Sequence, residues 1–122
     1  MTQYSSLNLL PLTVYGTPSG NYDGSSTTFI GNAIPAANYY AGQGTVQTLT
    51  YNVANLVAVI TIQATLQDNT PQAAWFDINS YGNASVPITG TQANSVIGNF
   101  SYLRAKVTNF TAGNITSVNS AY

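Results

Sequence analysis

The chain contains no cysteine and no histidine. The first absence excludes a disulfide framework, a thiol nucleophile and a Cys-based zinc site. The second removes the Ser–His relay and the imidazole general base. Charge is scarce as well. Two basic residues, Arg104 and Lys106, stand against three acidic ones, Asp23, Asp68 and Asp77, in 122 residues. Charged residues make up 4% of the chain, against roughly 25% in an average soluble domain. Two cations cannot neutralise a run of phosphates, so no nucleic-acid partner is expected. Long helices and coiled coils need the Glu, Lys and Arg that are scarce here.

Few groups remain for catalysis. Asp68 and Asp77 are the one carboxylate pair that could act on a glycoside, but they read as a turn-capping residue and a strand residue. Asp23-Gly24-Ser25-Ser26 offers one carboxylate, too few oxygens for a cation site, and reads as a turn. No glycine-rich phosphate loop follows a strand and opens a helix. The expectation is a non-enzymatic protein with no catalytic residue, cofactor or metal.

Membrane and export signals are also lacking. The start, MTQYSSLNLLPL, has neither a basic n-region nor an apolar h-region of about 7–15 residues. The most apolar stretch, 56–66, is interrupted by Thr61, Gln63 and Thr65, whereas a membrane helix needs about 20 apolar residues. Synthesis in the cytoplasm and no membrane partner are therefore expected. Four Asn-X-Ser/Thr sequons, beginning at Asn83, Asn99, Asn109 and Asn114, read as chance matches in a chain this rich in Asn, Ser and Thr.

What the chain does have is neutral polarity. Ser, Thr, Asn and Gln number 48 of 122 residues, beside 44% hydrophobic residues and a net charge of −1. That balance differs from a disordered chain, which is poor in apolar residues and highly charged. Residues 1–44 are punctuated by Pro11, Gly16-Thr17-Pro18, Ser19-Gly20-Asn21, Asp23-Gly24, Gly31-Asn32, Pro35 and Gly42-Gln43-Gly44, all turn signals. Short apolar islands lie between them at 9–15, 27–30 and 37–40. This region reads either as a loop-rich layer on its own domain or as an arm laid on a neighbour.

From residue 45 the pattern becomes that of strands. Gln47, Leu49, Tyr51 and Val53 share one face, and Ala58, Ile60, Ile62, Ala64 and Leu66 share another. Ala54-Asn55 between them reads as a tight turn, giving a hairpin over 45–66. Residues 67–71 read as a loop and 74–78 as a third strand. Tyr81-Gly82-Asn83 reads as a turn, and Pro87 restricts 86–88 to an edge. Over 100–109, Leu103, Ala105 and Val107 face one way and Tyr102, Arg104 and Lys106 the other. A turn at 111–114 and a last strand at 115–118 follow. Strands at this spacing predict an all-β fold, an antiparallel β-sandwich of jelly-roll type with very little helix. The chain reads as one structural domain, with a loop-rich N-terminal layer or arm over 1–44 and the sandwich core over 45–122.

Nine tyrosines exceed what such a core can use. Tyrosine combines contact area with a polar handle and suits interfaces and sugar platforms. Tyr4, Tyr15, Tyr22, Tyr39, Tyr40 and Tyr122 are candidate interface residues, whereas Trp75, Phe76 and Phe100 read as core. Arg104 and Lys106 are interface candidates too. The alternative for Arg104 is a cross-strand ion pair with Asp77. Residues 24–67 carry no charge at all. Interface cores are depleted in charge and enriched in aromatics, and unguarded strand edges self-associate. A subunit of a larger assembly is expected.

The second half carries a resemblance. Residues 64–78, ATLQDNTPQAAWFDI, followed by 98–118, GNFSYLRAKVTNFTAGNITSV, resemble small virion structural proteins of tailed bacteriophages, especially the T4-like phages of marine cyanobacteria. The resemblance spans about residues 45–120 and hardly touches 1–44. It implies a β-sandwich of the virion and leaves the part open. A small chain with an extended arm over 1–44 suits a capsid decoration (cement) protein first. A tail, neck, baseplate or fibre-attachment subunit is the alternative. The implied partners are copies of itself and other virion proteins. A module binding host surface glycans through Tyr22, Tyr39 and Tyr40 is the competing class.

Overall fold

The computed structural model describes residues 6–35, 46–66, 74–98 and 100–121. No helix occurs among them. Four short strands come first: β1 (Ser6–Leu10), β2 (Thr13–Val14), β3 (Phe29–Ile30) and β4 (Ile34–Pro35). Three long ones follow: β5 (Val46–Thr65), β6 (Phe76–Ile97) and β7 (Tyr102–Ala121). All pairings are antiparallel and belong to one sheet, in the order β1-β7-β5-β6. The strands β2, β3 and β4 join β1 along the same side of β7.

Each long strand holds 20 or 22 residues, far beyond the usual five or six. None of them is straight. The Tyr51 hydroxyl donates to Asn79 Oδ1 at 2.6 Å, yet Asn79 is registered opposite Ile62. On a straight strand Tyr51 and Ile62 would lie about 36 Å apart. Asn94, opposite Leu49, also donates to Asn79 Oδ1, at 3.1 Å. The sheet is therefore folded over, and its two halves face each other. The N-terminal segment agrees: β1 pairs with residues 118–121 and β4 with 102–103, yet β1 and β4 touch.

The crease has a local cause. Register shifts cluster between Val53 and Val59 of β5. Asn55 (φ 52°) and Asn109 (φ 56°) adopt the left-handed conformation, which Asn tolerates better than other residues with a Cβ. Gly113 (φ 89°) lies so close to β5 that a Cβ there would collide with the Asn55 carbonyl. Such bulges bend a strand and reset its alternation. On β5 the buried set is Leu49, Tyr51 and Val53 before Asn55, then Leu56, Ala58, Ile60, Ile62 and Ala64 after it. On β7 it is Leu103, Ala105 and Val107, then Phe110, Ile115 and Val118. The buried apolar residues of both strands belong to one core cluster.

This geometry revises several expectations. The all-β, antiparallel character is as expected. The described strands form one folded sheet, not two sheets hydrogen-bonded separately, and the jelly-roll connectivity is not found among them. Ala54-Asn55 is a bulge within β5 rather than a hairpin turn, because the strand continues to pair with β6 and β7 on both sides of it. The expected turns at 81–83 and 111–114 likewise lie within β6 and β7. Pro87 does lie on an edge strand, in a stretch where β6 pairing jumps from Asn83 to Ile88. There Asn83 Oδ1 accepts from the Ser85 and Val86 amides and closes a local turn.

Residues 6–35 pack on their own sheet. Tyr22 stacks with Phe29 and Phe110 at centroid distances of 5.0 Å, and its hydroxyl accepts from the Gly16 amide. The islands at 9–15 and 27–30 contribute to these short strands. The island at 37–40 and the loop at 67–71 lie outside the described residues.

Two substitutions test the crease and the core. Gly113→Ala combines a positive φ with a backbone collision. It is expected to destabilise by about 2 kcal/mol or more, read as a lowered thermal midpoint. Ser120 Oγ is fully buried with no hydrogen-bond partner. Ser120→Ala removes that unsatisfied group and is expected to leave the midpoint unchanged or raise it.

Candidate interface surfaces

The folded sheet has outward faces, and each meets solvent with a different chemistry. On one half, neutral side chains bond to one another across four strands. Asn8 Nδ2 on β1 donates to Asn119 Oδ1 on β7 at 2.9 Å. Asn119 Nδ2 and Asn52 Nδ2 both donate to Ser117 Oγ, at 3.4 and 3.0 Å. The Thr91 hydroxyl on β6 donates to Asn52 Oδ1 at 2.6 Å. Thr48 and Ser95 form a further cross-strand pair at 3.1 Å. The amide and hydroxyl groups are thus satisfied without ions, and this face carries no charge.

The other half carries the charged cluster. Arg104 on β7, Gln63 on β5 and Asp77 on β6 stand in one cross-strand row. Arg104 Nε donates to Gln63 Oε1 at 2.8 Å, and Gln63 Nε2 donates to Asp77 Oδ1 at 3.0 Å. Two strand spacings, about 10 Å, separate the outer members. The anticipated Asp77–Arg104 pair is therefore a relay through Gln63 rather than a direct contact. The Arg104 guanidinium also sits 4.2 Å from the Trp75 ring centroid. Partial burial disfavours its charged form, but an arginine remains protonated at neutral pH. Lys106 lies two residues along the same outward face, half-buried. Both cations of the chain thus share one spot.

The remaining candidates divide. Tyr15 is 47% exposed, with its ring edge against Phe110. Tyr22 is 1% exposed and belongs to the core. That corrects its reading as an interface or sugar-binding residue: its ring fills the gap between Phe29 and Phe110. Tyr4, Tyr39, Tyr40 and Tyr122 lie outside the described residues. Phe100 is buried as expected, whereas Phe76, the first residue of β6, is 40% exposed and Trp75 before it is half-buried beside Arg104. Asp23 caps its own turn, accepting from the Ser25 and Ser26 amides at 2.9 and 2.7 Å. Among the described residues no cluster of acidic side chains could hold a metal ion. A cleft lined by Asn8, Leu10, Asn21, Phe29 and Asn32 has its amides engaged: Asn21 Nδ2 donates to Ile30 O and Asn32 Oδ1, and Asn8 to Asn119.

Among the described strands the longest unpaired edge is that of β6. It ends the sheet order, and no described strand pairs with its outer side. Asp77 is the one charge in its 22 residues. Val86 and Ile97 are 56% and 77% exposed. Sequence reasoning identified unguarded edges in general and missed which strand it was. Comparison with family models, with curated proteins and with solved structures finds no match to this chain.

Two measurements check this description. Hydrogen bonds from the Ser25 and Ser26 amides hold the Asp23 carboxyl at a pKa of about 2, below the ordinary 3.8. Its contribution to stability is complete above the ordinary value and disappears as pH falls through about 2. Asp23→Asn is expected to flatten that acid limb, followed by equilibrium unfolding at successive pH values. Arg104→Ala removes the cation over Trp75, the chain's one tryptophan. It is expected to shift the fluorescence emission and to cost about 1 kcal/mol or less.

Proposed function

We propose that the chain is a non-enzymatic structural subunit of a virion, of the tailed-phage kind that its second half resembles. In this reading it assembles with copies of itself and with other virion proteins. A decoration subunit on the capsid is the first position to test, and a tail or neck component the second. The observation that carries the assembly reading is the β6 edge, 22 residues long with a single charge. Soluble monomers blunt such edges with lysines or cover them, and this chain holds one lysine, on β7. The neutral amide–hydroxyl face supports the same reading, since partner-covered surfaces are depleted in charge. The glycan-binding alternative loses Tyr22, which is buried.

The test is the solution mass by light scattering behind a sizing column. A discrete oligomer is expected, little changed between low and moderate sodium chloride, because few ions are available to screen. A mass near 12.8 kDa at every concentration, with no binding to purified heads or tails, overturns the proposal.

A further inference from the structure

The edge of β6 has two stretches. Residues 76–82 carry Asp77 and run into the bulge. Residues 89–97, Thr-Gly-Thr-Gln-Ala-Asn-Ser-Val-Ile, carry no charge and pair continuously with β5, apart from a shift beyond Gly90. The stretch is bounded by the Asn83–Ile88 bulge, with Pro87 and its missing N–H, and by Ile97 at the strand end. All but Asn94 and Val96 are exposed in it.

We infer that residues 89–97 pair antiparallel with the same residues of a second copy about a two-fold axis at Ala93, joining two sheets edge to edge. This rests on the assembly reading above and specifies its contact. A two-fold strand pair sets each residue i against residue 186 − i of the partner, so Ala93 meets the partner's Ala93. Ala93 is the midpoint of the free stretch, which maximises the paired length, and its small side chain meets its own image without collision. Thr91 falls opposite the partner's Ser95, and Gln92 opposite the partner's Asn94. Both pairings match hydrogen-bonding groups. Gly90 leaves room beside the partner's Val96, and Ile97, 77% exposed, covers the methyl of the partner's Thr89.

The second copy is favoured over an unrelated strand for a reason of charge. Self-pairing of an edge normally sets like charges near each other and is opposed. Here no charge exists to oppose it. The register also continues the outward ladder: Thr48 bonds Ser95, which faces the partner's Thr91, which bonds the partner's Asn52. Nine paired residues span about 30 Å. That places the contact in the small, concentration-dependent class of interfaces.

Because the chain has no native cysteine, engineered thiols report the register directly. Opposed residues in an antiparallel pair lie about 4.5–5.5 Å apart at Cα, within disulfide range. Full-length Ala93→Cys is expected to form a covalent dimer under mild oxidation. Thr91→Cys alone should not, since its image is four residues away along the pair. The double variant Thr91→Cys/Ser95→Cys should cross-link again, so the test does not hang on one variant folding. Ala93→Lys places two cations at the axis and should weaken association at least roughly tenfold. If the protein is oligomeric by light scattering but Ala93→Cys and the double variant stay unlinked, the assembly reading stands and this contact is wrong. If the protein is monomeric at every concentration, self-pairing fails. Protection of residues 89–97 from hydrogen exchange on purified heads or tails would then assign the edge to a different virion strand.

Discussion

The fold depends on one backbone constraint: three long strands must bend at the same level. A single sheet of this length has an apolar face, and no helix occurs among the described residues to cover it. Folding the sheet on itself lets that face cover itself. The crease needs residues that tolerate positive φ and close approach, and they converge there. Asn55 on β5 supplies the left-handed bulge, and Gly113 on β7 lies against its carbonyl. Gly82 on β6 approaches the neighbouring Ala58 carbonyl just as closely. The Tyr51–Asn79–Asn94 contact then fastens one half to the other. Burial keeps the Tyr51 hydroxyl protonated well above the ordinary tyrosine range, so it remains a donor.

The near absence of charge follows a parallel logic. Polar groups on a sheet surface need partners or water. In this chain the partners are neutral: Asn8, Asn52, Thr91, Ser117 and Asn119 satisfy one another across strands. Neutral ladders add little net stability, but they also remove the repulsion that keeps folded chains apart. A surface of that kind is compatible with close packing against another protein. Of the charged residues in the described sheet, Arg104 lies over Trp75 and is separated from Asp77 by Gln63.

Much of the architecture was legible from alternation. The inward sets Leu49–Tyr51–Val53, Ala58–Ile60–Ile62–Ala64 and Leu103–Ala105–Val107 could be read at period 2, and all are buried. Leu66, read as the last member of the second set, is instead 64% exposed just past the end of β5, and the side chain of Gln47 lies outside the described residues. The change of phase at Ala54-Asn55 was visible as well. A phase change arises equally from a turn that reverses the chain and from a bulge that does not. Local residue preferences favour Asn and Gly at both, so only the pairing on either side separates them. The Tyr22 reading failed for a related reason. A tyrosine among turn residues looks like a surface residue, and its burial comes from Phe29 and Phe110, one on β3 and one on β7.

The sequence by itself determined the class of the protein's structure and its neutral character. Period-2 alternation, β-branched residues and frequent turn signals act locally, and composition needs no coordinates. Tertiary structure alone decided that one sheet folds over on itself, that Gln63 stands between Arg104 and Asp77, and that β6 ends the order of the described strands. Each of these depends on which strand neighbours which and in what register. Those are long-range choices, settled by burying the whole apolar face at once rather than by any segment's own preference.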